Sequence, residues 1–241
     1  CLDACDRVAL VLPDGWLHLH SFAALRARVS QAGVDTLTQL PSGVFPGARV
    51  FAVALVTGGS ARCEAGRLTR EGRVVTGPVH MGKDAWSLEG PLPHLAGRPL
   101  GELVHIHMGV VCGDYPRYVR RGRHDPDDRP TCRGRDVQRW AIAPTDEHVL
   151  YRPREMLDRK PYVAPKSAAI FDVPAKIVLA GTSGRELRAA MDEDQRFVMD
   201  SCYVLLPRDE GVDLWGVLGL LMSPQVGAWY GARHRAARVK G

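Results

Sequence analysis

Several things are missing from this sequence. It has no asparagine, only five lysines against 27 arginines, and no two cysteines at CxxC spacing. No run approaches the ~18 consecutive apolar residues of a membrane span. The longest candidate, Val212 to Trp229, is interrupted by Ser223-Pro224. Cys1 and Cys5, separated by three residues, have no second pair nearby to complete a zinc site, so the six cysteines are expected to be reduced thiols. His18-x-His20 and His105-x-His107 each put two imidazoles on one face of a strand. Neither has a third ligand in view, and both are read as structural or polar-contact residues rather than metal ligands. Cys1-Leu2-Asp3 leads directly into charged residues with no secretory segment ahead of the core, so a cytoplasmic location is expected.

The remaining composition is that of an ordinary globular chain, 45% hydrophobic and 24% charged over 241 residues. This length suits one large or two modest domains. The net charge of +5 is spread evenly, with 10 basic and 8 acidic residues before Pro99 and 22 against 19 from there on. Any attraction for a polyanion must therefore come from local placement.

One stretch supplies such placement. From Arg117 to Arg139 the chain holds eight arginines, diluted by four acids (Asp125, Asp127, Asp128 and Asp136). Gly122, Pro126, Pro130 and Gly134 forbid a regular helix, which leaves a long loop or a pair of short strands. Guanidinium groups on an irregular backbone can reach phosphates and guanine edges. The competing reading is a solvated loop in an arginine-rich protein, because a basic cluster alone is only an electrostatic footprint.

Along the chain, Arg7 to Pro13 is a short unbroken apolar run, expected as a strand buried on both faces of a parallel sheet. Phe22, Leu25 and Val29 lie at helical spacing between Ser21 and Gly33. Val34 to Leu40 and Arg49 to Val56 read as strands. Gly66 to Val75 reads as a hairpin around Glu71-Gly72, and Pro91 to Pro99 as a domain junction. A second unit is expected to begin at Leu100 to His107, and a short strand at Val149 to Tyr151. Ala175 to Ala180, Leu187 to Asp192 and Cys202 to Leu206 are expected to share a mostly antiparallel sheet. Arg154 to Arg159 reads as a helical turn, and two helices flank Pro224.

The order of these features resembles one family: Taq-type adenine-N6 DNA methyltransferases of type II restriction–modification systems, with their C-terminal target-recognition domain. The resemblance rests on Val44-Phe45-Pro46 between two strands, then Gly134-Arg135-Asp136, then Lys176-Ile177-Val178. Gly109 to Tyr118, Gly134 to Trp140, Ala189 to Asp192 and Leu218 to Tyr230 also fall where that family has counterparts. It implies a mixed α/β fold class. A partial Rossmann-like methyltransferase sheet would occupy residues 1–90, and an α+β DNA target-recognition domain residues 99–241. The family's glycine-containing cofactor turn and its Asn-Pro-Pro-Tyr loop are absent. The implied role is therefore sequence-specific recognition of double-stranded DNA, with S-adenosylmethionine bound only in the complete enzyme and a separate catalytic methyltransferase chain as partner. Two alternatives stay open: a stand-alone non-catalytic specificity subunit, and a decayed enzyme acting as an interaction protein.

The resemblance also suggests site residues. Phe45 matches the aromatic position that packs on a flipped adenine, or else it fills a core. Arg117, Arg133, Arg135 and Arg139 are candidates for DNA contact, with Asp136 orienting an arginine. Lys176, Thr182, Ser183 and Arg185 join them, although Lys176 also reads as a sheet-edge charge. Trp140 is read as a packing anchor in preference to a base-stacking residue, because Ala141-Ile142 lead from it into apolar sequence. No catalytic or metal-binding residue is expected.

Overall fold

A computed structural model describes residues 5–41, 43–46, 50–58, 63–82, 85–88, 95–160, 162–181 and 186–233. Cys1–His94 and Leu95–Gly231 form two compact units.

In the first unit, β1 (Val8–Pro13) is followed by two short 3-10 turns and α1 (Ala23–Gln31). Next come β2 (Val34–Gln39), β3 (Ala52–Thr57), β4 (Glu64–Thr69) and β5 (Gly72–Pro78). These strands make a five-stranded sheet in the order β1-β3-β2-β4-β5. The hairpin expected around Glu71-Gly72 is present, with Thr69 opposite Gly72. A small ladder joins β6 (His80–Met81) to β7 (Trp86–Ser87). Val29 of α1 packs with Leu37, Val53, Leu55 and Trp16, and Trp16 meets Trp86 edge-to-face at 5.2 Å. Arg26 points the other way from its usual preference and is 2% exposed. Its Nη1 donates to the carbonyls of Trp16 (2.6 Å) and Leu19 (2.8 Å), which fixes α1 against the turn that precedes it.

The expected environment of β1 needs correcting. It pairs antiparallel with β3, and β2–β4 is the parallel pair in this sheet. Burial alternates along β1, and Val11 is 57% exposed. An apolar run therefore sits here on a half-solvated strand. Run length cannot tell this from a strand covered on both faces, because both are rich in valine and leucine.

The second unit is built on a four-stranded antiparallel sheet in the order β13-β12-β14-β8: Ala189–Asp192, Lys176–Ala180, Cys202–Pro207 and Val104–Met108. Alternate residues of β12 enter different cores. Val178 and Ala180 join Phe171, Phe197 and Val204 on one face, while Ile177 joins Leu205 and Leu218 on the other. The second face is covered by α4 (Leu214–Leu221) and α5 (Pro224–Arg233). Asp213 caps α4 by accepting a hydrogen bond from the Trp215 N–H at 2.9 Å. Against the first face lies a three-stranded sheet in the order β10-β11-β9: Asp128–Pro130, Glu147–Leu150 and Val119–Arg121. Two short helices complete this side, α2 (Tyr115–Tyr118) and α3 (Pro153–Arg159).

Lys176 requires a second correction. It is fully buried and stands directly opposite Asp192 in the β12–β13 register. The two form an ion pair at 2.6 Å, and Lys176 Nζ also donates to the Phe171 carbonyl at 2.9 Å. Arg196 meets the other oxygen of Asp192 at 2.7 Å. A lysine in this position holds a core together and does not face a ligand. Removing one member of a buried pair costs about 3–5 kcal/mol, because it leaves an uncompensated charge. Asp192→Ala should reach that range in urea unfolding, since Lys176 keeps only one carbonyl. Lys176→Met should cost less, because Asp192 retains Arg196. The reverse ranking would contradict this account of the pair.

Candidate functional site

The arginine segment folds by using its own acids. Asp114 caps α2, accepting from the Arg117 N–H at 3.3 Å. The chain then forms β9, turns through Gly122 in the left-handed region (φ 73°), and returns as β10. Both are short strands paired with β11. Asp128, the first residue of β10, has a fully buried side chain that takes Nε and Nη2 of Arg120 at 2.8–3.2 Å. It also accepts the backbone N–H groups of His124 and Asp125 at 2.7 and 2.8 Å. Burial pushes this carboxyl up, but Arg120 and the two N–H groups outweigh it and hold Asp128 below its ordinary value. Arg152 pairs with Asp125 at 2.7 Å and with Asp127 at 2.9 Å. Asp136 accepts the Arg133 N–H at 2.8 Å. All four acids of the segment are thus engaged within the fold.

The sequence-predicted arginines are distributed unevenly. Arg133 and Arg135 converge on the half-buried Glu147 of β11. Arg133 Nη2 reaches Oε1 at 3.1 Å, and Arg135 Nη2 reaches the same oxygen at 2.8 Å. Arg133 Nε and Glu147 Oε2 approach to 2.9 Å as an ion pair, without the alignment of a hydrogen bond. The Arg133 guanidinium also lies over the Tyr115 ring, 4.8 Å from its centroid, and Tyr115 donates its hydroxyl to Asp200. Arg133 is held on three sides, whereas Arg135 keeps 62% of its side chain exposed. Arg117 is paired with Glu155 of α3 at 2.8 Å. Phe45 is 38% exposed and outside its unit's buried core, so it does not fill that core. Thr182, Ser183 and Arg185 lie outside the described residues.

Gly134 is required by packing. A Cβ there would meet the Ser201 carbonyl oxygen at 2.7 Å, and the Gly134 N–H donates to Ser201 Oγ at 2.9 Å. From this anchor the chain runs into a narrow hairpin. Val137 bridges Ile142, Gln138 N–H donates to Ala141 O at 2.8 Å, and Ala143 N–H to Asp136 O at 2.7 Å. Arg139 and Trp140 form its tip. Arg139 Nη2 donates to Met222 O at 2.8 Å, and its Nη1 lies 3.7 Å from Glu186. Trp140 is half exposed, which overturns its expected role as a packing anchor. The fully buried Val137 is the anchor of this hairpin.

Arg121, Arg123 and Arg129 were not singled out from the sequence. All three are exposed, and none has an ion-pair partner among the described residues. Arg129 stacks over Phe197 at 5.4 Å. The available signal was the acids: once Asp125, Asp127 and Asp128 are committed to Arg120 and Arg152, the neighbouring arginines are left without a counter-charge.

Residues 129–239 match the TaqI-like C-terminal specificity domain. The matched range of this specificity domain begins at Arg129 and takes in Glu147, the hairpin tip and both C-terminal helices. The type IIL restriction-modification enzyme MmeI, solved in complex with DNA, aligns over 90% of this chain with a TM-score of 0.57 at 11% identity. This is a likeness of fold. The chain spans about a third of that enzyme's length, 35% of it. The type IIG restriction endonuclease BpuSI aligns over 89% of this chain and 36% of its own at 12% identity, with a TM-score of 0.28, too low to indicate a shared fold. No curated protein matches the chain. No helix among the described residues is long and apolar enough to cross a membrane.

Asp128 gives a pH test of the segment's construction. A carboxyl held below its ordinary value stabilises the fold above the unfolded value of about 3.9. That contribution is lost as pH falls through the depressed folded value. Asp128→Asn should be less stable than wild type by about 2 kcal/mol at pH 7. The gap should close on acidification below about pH 4 in thermal unfolding. A gap independent of pH would mean that the charge of Asp128 contributes nothing.

Proposed function

We propose that this chain recognises a specific sequence in double-stranded DNA, as the specificity-bearing part of a restriction–modification enzyme. The observation that carries the reading is the specificity-domain match over residues 129–239. The geometry supports it independently. The segment's acids are spent inside the fold, while Arg121, Arg123, Arg129 and the outer face of Arg135 remain free of a dedicated partner or largely exposed. Exposed guanidinium groups on a braced backbone supply phosphate contacts, and a fork such as Arg135 can also read a guanine edge bidentately. Glu147 sets the direction of that fork.

The finer reading is an adenine-N6 methyltransferase whose catalytic half is a separate chain. Phe45 is then the residue that stacks on a flipped adenine, and its exposed ring is compatible with that task. The glycine-containing cofactor turn of that family is absent from this sequence, so S-adenosylmethionine is proposed to bind only in the complete enzyme. In the turn after β1, a Cβ at Gly15 would meet Leu19 Cδ1 at 3.2 Å, so the Leu19 side chain packs against that turn. The sequence has no asparagine for the target-amine loop. The isolated chain should therefore show no micromolar S-adenosylmethionine binding by calorimetry. Such binding would mean that the first unit carries a cofactor site of another kind.

The main test is binding of the purified chain to duplex DNA as salt is varied. Affinity should fall with a log–log slope of roughly 0.9 for each phosphate neutralised. Arg123→Ala should weaken binding to all sequences alike and lower the slope by about one. Arg135→Ala should cost about 1–3 kcal/mol, mainly on the preferred site. No binding at low salt, even with a catalytic partner supplied, would leave the arginine segment as a solvated surface.

A further inference from the structure

We infer that Trp140 is a base-stacking residue of the DNA-recognition surface; the inference rests on the DNA reading proposed above. Its backbone has φ 70°, in the left-handed region. Elsewhere in this unit the left-handed region is taken by Gly113 (φ 71°) and Gly122 (φ 73°) and by two long polar side chains, Lys166 (φ 65°) and Gln195 (φ 53°), so Trp140 is its one aromatic occupant among the described residues. A bulky side chain in that conformation is an outlier and carries a conformational penalty. The buried half of the ring offsets that penalty, while the other half of the Trp140 surface stays open to solvent. A large aromatic ring is thus kept in a strained backbone conformation with half of its surface unused by packing.

The surroundings explain what the ring is held for. The Trp140 N–H donates to the Ala189 carbonyl on β13 at 2.9 Å. The preceding residue is tied to the α4–α5 connection through Arg139 Nη2 and Met222 O at 2.8 Å. The hairpin beneath is closed by the Gln138–Ala141 and Ala143–Asp136 backbone bonds and anchored by the buried Val137. The tip is therefore pinned from two elements while the indole projects from it. Arg139, next to it, and Arg135, five residues before it, have side chains 45% and 62% exposed. A flat aromatic face on a rigid tip beside exposed guanidinium groups matches the chemistry of a nucleobase on its phosphate backbone. Proteins that kink a duplex insert apolar side chains at a base step in this way, and stacking tolerates any base because each presents a π-face. The specificity domain then reads its site partly through the hairpin tip, a contribution that hydrogen-bonding arginines alone would not make.

Two variants of the full chain test this. Trp140→Gly relieves the backbone strain while losing the buried half of the ring, two effects of similar size, so its thermal unfolding temperature should stay close to that of wild type. Its affinity for the duplex that wild type prefers should nevertheless fall by about tenfold, the scale of one base–aromatic stack. Trp140→Phe should retain binding to within a few-fold. Tryptophan emission of wild type should be quenched by that duplex, and the quench should be absent in Trp140→Phe, which keeps the other four tryptophans. Equal DNA affinity of Trp140→Gly and wild type, or an unchanged quench in Trp140→Phe, would overturn the inference and leave the DNA reading standing. A wild-type chain that binds no duplex at low salt would overturn both.

Discussion

Buried charge is the constraint on which the second unit depends. Lys176 and Asp192 face each other across two adjacent strands with no solvent exposure, and Arg196 and the Phe171 carbonyl complete their coordination. A hydrophobic pair of similar volume would often be as stable. The ionic pair adds register, because a one-residue slip of β13 against β12 would separate the two charges inside an apolar core. β12 lies between two cores, so its placement sets the sheet, the helices on one face and the smaller sheet on the other.

The same logic recurs on the arginine segment with a different outcome. Asp128 is buried and satisfied by Arg120 and two backbone N–H groups, which closes the turn between β9 and β10. Arg152, contributed by the approach to α3, collects Asp125 and Asp127. Half-buried Glu147 draws Arg133 and Arg135 together. Carboxylates serve as internal fasteners, and the surplus of arginine is displayed outward. A loop that looks like a diffuse basic run is in fact a braced surface, and bracing lowers the entropy lost when the surface meets a partner.

Much of the architecture was legible from periodicity and turn residues. α1, the hairpin at Glu71-Gly72, the β12-β13-β14 set and the helix pair across Pro224 all follow from local pattern. What escaped was long-range. The Lys176 side chain looks like a strand-end charge until Asp192, sixteen positions away, is placed opposite it. Glu147 and Glu155 lie outside the arginine segment, so their hold on Arg133, Arg135 and Arg117 could not be read from the segment's own composition. The apolar residues after Trp140 suggest burial, whereas the ring is half exposed at the tip of a hairpin. β1 was misplaced because the apolar content of a strand does not reveal how many faces are covered.

The central claim is the proposal that the braced arginine surface, together with the part of the chain that matches the specificity domain, reads sequence and does not merely attract negative charge. The most direct measurement is selection of bound duplexes by the intact chain from a randomised pool at moderate salt, followed by sequencing. The account predicts convergence on a short motif, with enrichment that persists as non-specific binding is suppressed by salt. A bound pool that stays as random as the input at every salt concentration would contradict it.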